Sequence, residues 1–128
     1  MKTKWSLVVS ALTLSAFTVF ADVYDDIAAA IRSGNASQVS AYFSSSIDLT
    51  ILNEENVYSK AQAEVILRNF FSKNTPKGFT VIHKGKSQEG SMYAIGNLET
   101  SGGTYRTYFF IKQSAGKSFI QELRFEKE

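Results

Sequence analysis

Cysteine is absent from this 128-residue chain, and histidine and tryptophan occur once each. Without thiols there is no disulfide, no thiolate zinc site, no iron–sulfur cluster and no cysteine nucleophile. The single histidine, His83, excludes metal centres built from several imidazoles. Neither a metal nor any other cofactor is therefore expected. Proline is confined to Pro76, and no proline-rich or low-complexity linker divides the chain. A length under about 150 residues leaves room for one core and rules out separate cofactor and substrate lobes. What is present, 44% hydrophobic and 20% charged residues, suits one ordinary globular domain.

The formal charge of +2, from 14 basic and 12 acidic residues, is unevenly placed. Lys2 and Lys4 open the chain, and the sixteen residues from Trp5 to Phe20 carry no charge. Small or compact residues at Val19 and Ala21 then precede Asp22. That is the layout of a secretory signal peptide over residues 1–21, cleaved near Ala21. The apolar run is shorter than the roughly 20 residues a membrane span needs, so no membrane span is expected after signal removal. With no cysteine to acylate, a bacterial lipoprotein anchor is excluded. The mature domain, 22–128, would keep 12 residues of each sign and lose the one tryptophan. A neutral domain argues against nucleic-acid binding, which needs a clustered basic surface. An exported, cysteine-free domain must be held by packing alone, a habit of bacterial periplasmic proteins. The expected location is thus the periplasm or beyond, and Asn35-Ala36-Ser37 reads as a helix start rather than a glycosylation site.

Val23, Ile27 and Ile31 recur every four residues and Gly34 follows them, which predicts a short amphipathic helix. Asn35 stands three residues before Gln38 in capping-box spacing, and Val39, Tyr42 and Phe43 predict a second helical face. Ile47, Leu49 and Ile51 alternate with Asp48 and Thr50 as in a strand, with Asp48 facing water. Asn53 to Asn56 reads as a polar turn, and Val57 and Tyr58 as a short return strand. Ser59 with Gln62 opens another capping box before Ala63, Ile66, Leu67 and Phe70, which share one helical face that Phe71 widens. Beyond Pro76 and Gly78 the period changes to two. Four strands are predicted at 79–87, 91–101, 104–113 and 118–126, joined by short Gly-containing hairpins into an antiparallel meander. In the last, Phe119, Leu123 and Phe125 are expected on one buried face. The strand before it has two partly apolar faces, Tyr105, Thr107, Phe109 and Ile111 on one and Arg106, Tyr108 and Phe110 on the other. The fold class is α+β, with three N-terminal helices packed on a curved, mostly antiparallel sheet in the order α-α-β-(β)-α-β-β-β-β.

This order resembles the nuclear transport factor 2-like cone, the cystatin-like architecture also seen in ketosteroid isomerase and the polyketide cyclases. The segments Tyr58-Ser59-Lys60-Ala61-Gln62-Ala63-Glu64, His83-Lys84-Gly85, Tyr93 to Leu98 and Gly103-Thr104-Tyr105-Arg106 further resemble the exported bacterial family catalogued as domain of unknown function 4783. The resemblance implies a cavity between sheet and helices and dimerisation through the sheet, but no activity. The isomerases of this fold use an aspartate base with a tyrosine and a protonated acid, and that set has no counterpart here. Glu89, Glu99, Glu122 and Glu126 fall at turns or on wet faces.

Among single residues, His83 is the one side chain that titrates near neutrality, and alternation places it with Phe79 and Val81. It reads as a core histidine satisfied by backbone or a tyrosine; the competing role is a general base near Tyr58, Tyr93 or Tyr108. Arg106 beside Tyr105 and Tyr108 could grip an anionic group, or pair with Glu99 across the hairpin. Gly85-Lys86-Ser87 and Gly116-Lys117-Ser118 lack the earlier glycine and the helix of a phosphate loop. No catalytic residue is assigned. Tyr58, His83, Tyr93, Arg106 and Tyr108 are the candidate ligand-binding residues, and the expected partners are a small apolar or anionic ligand and a second copy paired through the sheet face. The reading is a non-catalytic binding or interaction module. Its alternative is a cofactor-independent isomerase, dehydratase or hydrolase working on a small apolar molecule in the cone, with His83 as base. An apolar patch around Tyr108 and Phe110 favours the first, and a closed cavity holding His83 favours the second.

Overall fold

The computed structural model describes residues 23–128. Its elements are α1 (Val23–Ser33), α2 (Ala36–Ser40), β1 (Phe43–Ile51), β2 (Glu54–Ser59), α3 (Lys60–Lys73), β3 (Pro76–Lys86), β4 (Met92–Thr100), β5 (Gly103–Ser114) and β6 (Lys117–Lys127). The signal-peptide segment lies outside the described residues. One six-stranded sheet runs β2-β1-β6-β5-β4-β3, antiparallel throughout except where β1 lies parallel to β6. The expected order and class are those observed.

Local chemistry sets the helix starts. The Asn35 side chain accepts from the Gln38 amide at α2, and Ser59 and Gln62 form a reciprocal capping box at α3. Past Ser40 the chain departs from expectation, because Phe43 opens β1 instead of continuing α2. Its ring is needed in the core opposite Ile120 of β6, and tertiary burial overrides the local helical pattern. The polar stretch after Ile51 likewise turns within Leu52 and Asn53, so Glu54 already belongs to β2.

The inner face of the sheet and the helices share one core. Ile27 and Ile31 from α1, Leu67, Phe70 and Phe71 from α3, and Phe43, Ile47, Leu49, Leu98, Phe109, Ile111, Leu123 and Phe125 from the strands are buried together. Phe70 packs against Phe125 with ring centroids 4.8 Å apart and meets Tyr105 edge-on at 5.1 Å. Gly96 is a packing glycine: a Cβ there would stand 2.6 Å from Cζ of Phe79 and 2.7 Å from the Thr80 carbonyl oxygen.

Four irregularities interrupt the pairing, the first at the start of β3, where Lys77 is extra between Pro76 and Gly78. On β3, Val81 pairs with Gly96 but His83 pairs with Ile95, which leaves Ile82 as the extra residue, 57% exposed. On β6, Ile120 pairs with Ile111 and Glu122 with Phe110, so Gln121 is extra. Ile120 is therefore the buried partner of Leu123 and Phe125, while Phe119 turns to the outer face. This corrects the expected sharing of one face by Phe119 and Leu123. On β1, five steps from Phe43 to Asp48 match two from Ile120 to Glu122, so the Ser44–Ile47 stretch bows away from β6.

Candidate functional site

Every second residue of the meander faces away from the helices, and these side chains form rows across three strands. Tyr93, Phe110 and Glu122 make one row; Ile95, Tyr108 and Arg124 the next; Asn97, Arg106 and Glu126 the third. The bulge at Ile82 adds His83 to the second row, opposite Ile95. Without it, His83 would sit with Phe79 and Val81 as alternation expects. The histidine is thus exposed on the outer face and is not a core histidine, although a tyrosine does satisfy it.

His83 Nε2 lies 3.0 Å from the Tyr93 hydroxyl, and the two rings are 5.7 Å apart. Gly85 makes this contact feasible, since a Cβ at that position would stand 2.4 Å from the Tyr93 ring. Tyr93 in turn neighbours Tyr108, with centroids 6.4 Å apart. The Arg124 guanidinium lies 5.8 Å from the centre of the Tyr108 ring and forms ion pairs with Glu122 and, at 3.8 Å, with Glu126. Burial raises the Tyr108 phenol above its ordinary value, and nearby Glu122 adds to the shift. Tyr108 is therefore a protonated donor throughout the physiological range. Together with Ile95, Arg106, Arg124 and Glu126 it lines a shallow concavity of about 190 Å³.

Four of the five candidate residues, His83, Tyr93, Arg106 and Tyr108, thus converge on the outer face. Tyr58 does not join them. It pairs with Ile47 and packs half-buried at the rim of the core, where its hydroxyl accepts from the Asn56 amide at 3.2 Å. Arg106 faces Asn97 and Glu126, while Glu99 is opposite Thr104, which corrects the expected Arg106–Glu99 pair. Asp48 is on the outer face as expected, but it is half-buried and its Oδ1 makes no hydrogen bond within the protein. Arg124 with its flanking glutamates joins this face without being one of the five candidates, although the Glu-x-Arg-x-Glu spacing of 122–126 places three charges on one strand face.

The space between helices and sheet is occupied by side chains. Phe43, Phe109 and Phe125 are fully buried at its centre, among Ile27, Ile31, Leu67 and Leu123. The large concavities lie outside this core, against the outer face and along the α1–β3 seam. His83 has a phenol as its hydrogen-bond partner, and a general base oriented by a carboxylate is not formed there. Among the described residues no three metal-ligating side chains cluster, and no helix is long and apolar enough to cross a membrane.

Comparison with known proteins agrees with the architecture. Residues 24–126 match the family model described as "Domain of unknown function (DUF4783)". A DUF4783 family protein from Bacteroides uniformis is 31% identical, with a TM-score of 0.79 over 84% of this chain and 98% of its own. At 19% identity the similarity is to the fold alone. That is the case for a putative calcium/calmodulin dependent protein kinase II association domain from Xanthomonas campestris, with a TM-score of 0.63 over 83% of each chain. A domain with a cystatin-like fold from Nostoc punctiforme, 11% identical, gives a TM-score of 0.64 over 82% of this chain and 72% of its own. No curated protein matches the sequence. By its family match over nearly all the described residues and its likeness to solved members, this chain belongs to the family of domain of unknown function 4783, built on the nuclear transport factor 2-like, cystatin-like fold.

Proposed function

We propose that the protein is an exported, non-catalytic interaction module that pairs with a second copy of itself through the outer face of β4, β5 and β6. The observation that carries this reading is the division of the molecule into a filled interior and an outer face on which Tyr93, Tyr108 and Phe110 are framed by Arg106, Arg124, Glu122 and Glu126. Both charge signs occur on one patch, so a two-fold rotation can set arginines of one copy against glutamates of the other. Tyrosine and arginine are the residue types that dominate interface energies. The description of the Xanthomonas neighbour as an association domain is consistent with assembly through this scaffold. Export rests on the layout of residues 1–21 and on relatives from Bacteroides species.

Sedimentation equilibrium of the purified protein tests the pairing. A dimer is expected with a dissociation constant of about 10–100 µM, the range of a modest interface. Arg124→Glu, which sets three acids in a line with Glu122 and Glu126, is expected to weaken it at least about tenfold. A monomer at every concentration up to about 1 mM, where even a weak dimer populates, removes the reading. Expression of the whole chain in a Gram-negative host, with fractionation and N-terminal sequencing, tests export; a mature end at Asp22 is expected.

A further inference from the structure

Where β1 bows away from β6, the outer face has a second concavity that the dimer patch does not use. It measures about 620 Å³, and its lining combines Ser44, Ser45, Ser46, Asp48, Phe119 and Gln121 with Val57 and Ser114. We propose that this concavity binds a neutral saccharide, with Phe119 as the platform for a sugar ring and Asp48 as the anchor of its hydroxyls.

Its origin is visible in the pairing. The bowed stretch of β1 carries the three serines, and the extra residue of β6 is Gln121. The walls are thus made by the bulge residues of two neighbouring strands, and bulges re-aim side chains at functional positions. Three consecutive serines lack the β-branched and aromatic side chains that favour strands. The core does not require them either, since all three are half-buried or exposed. The same bulge at Gln121 turns Phe119 outward, half-buried, where one ring face can serve as a floor.

The lining selects the ligand class by elimination. No lysine or arginine lines the concavity, so it offers no counter-charge to a phosphate or carboxylate. Hydroxyls, one amide and one carboxylate make most of the wall, which is unsuited to a purely apolar guest. Asp48 lines the concavity, and its Oδ1, shielded from solvent, has no protein partner, so the carboxylate keeps an acceptor position to fill. A ring with several hydroxyls and one C–H face satisfies all of these at once: carboxylate and amide to the hydroxyls, C–H groups on the aromatic ring. The volume falls within the range of about 300–1,000 Å³ usual for small-molecule sites.

Titration of the purified, isotope-labelled protein with cellobiose, maltose, lactose and chitobiose, followed by amide chemical shifts, tests the proposal; choline serves as the cationic control. At least one disaccharide is expected to bind with a dissociation constant of about 1 mM or tighter, with shifts concentrated in 44–48 and 114–121. Asp48→Asn and Phe119→Leu, each close in shape to the native residue, are expected to weaken that binding at least about tenfold while the rest of the amide spectrum stays native. If Phe119→Leu fails to fold, the near-isosteric Asp48→Asn still decides. Three results overturn the proposal: shifts from choline but from no disaccharide, disaccharide shifts confined to other surfaces, or no disaccharide shift at all. The dimer patch is tested separately by the Arg124→Glu variant, so the failure of either reading leaves the other standing.

Discussion

Whether the interior is a packed core or a collapsible ligand chamber can be measured by removing the Phe109 ring. Phe109 is fully buried, and its neighbours across the strands are Ala94 on β4 and Leu123 on β6, both also fully buried. Ala94 has no side chain to extend into the vacated space, and Leu123 is held on the face it shares with Phe125. Burial of such a ring contributes about 1.5–3 kcal/mol by transfer alone. A cavity that cannot collapse adds to this, so Phe109→Ala is expected to cost about 4 kcal/mol, within the usual span of about 3–5. Urea unfolding followed by far-ultraviolet circular dichroism gives the value by linear extrapolation. Phe109→Leu, which keeps most of the volume, should cost about 1.5 kcal/mol or less. A loss below about 1 kcal/mol for Phe109→Ala, at unchanged slope, would refute close packing and reopen the cone as a binding chamber.

Gly96→Ala drives a methyl group against the Phe79 ring and the Thr80 carbonyl, and overpacking of about 1–3 kcal/mol should appear as a lower urea midpoint. Tyr93→Phe removes the hydroxyl that meets His83 on the exposed face; stability should change by less than about 1 kcal/mol while the His83 ring resonances move. The Ser40 hydroxyl donates to Glu64 and, with Arg68, holds that carboxyl below its ordinary value. A depressed folded-state value contributes stability above the unfolded pKa that disappears as pH falls through the folded one. Ser40→Ala should therefore lower the melting temperature at pH 7 relative to the native chain, with the gap narrowing in acid; a gap of constant size from pH 7 to pH 2 would show that Glu64 ionisation is not involved.

The local signals were strong where a side chain and its own backbone suffice. Asn35 with Gln38 and Ser59 with Gln62 located two helix starts, because a cap needs only residues three apart. The meander was legible for a similar reason, since glycine-containing turns separate runs of period two. Phe43 is not legible locally, because its role depends on Ile120, far along the chain. His83 and Phe119 each lie on the face opposite to the one alternation predicts because of a single inserted residue, Ile82 or Gln121, since one extra residue reverses every side chain beyond it.

Composition alone determined that the protein lacks thiol chemistry and multi-histidine metal sites, and that a single core must hold it together. Patterning added the order of its elements. Which residues meet was decided only by tertiary structure, through the parallel docking of β1 on β6 and the bulges that break alternation. Those features filled the interior, gathered His83, Tyr93, Arg106 and Tyr108 on the outer face, left Tyr58 at the core rim, and opened a serine-lined concavity beside Phe119. The physical reason is that register is a long-range property, fixed by burial of both strands at once and written in neither strand alone.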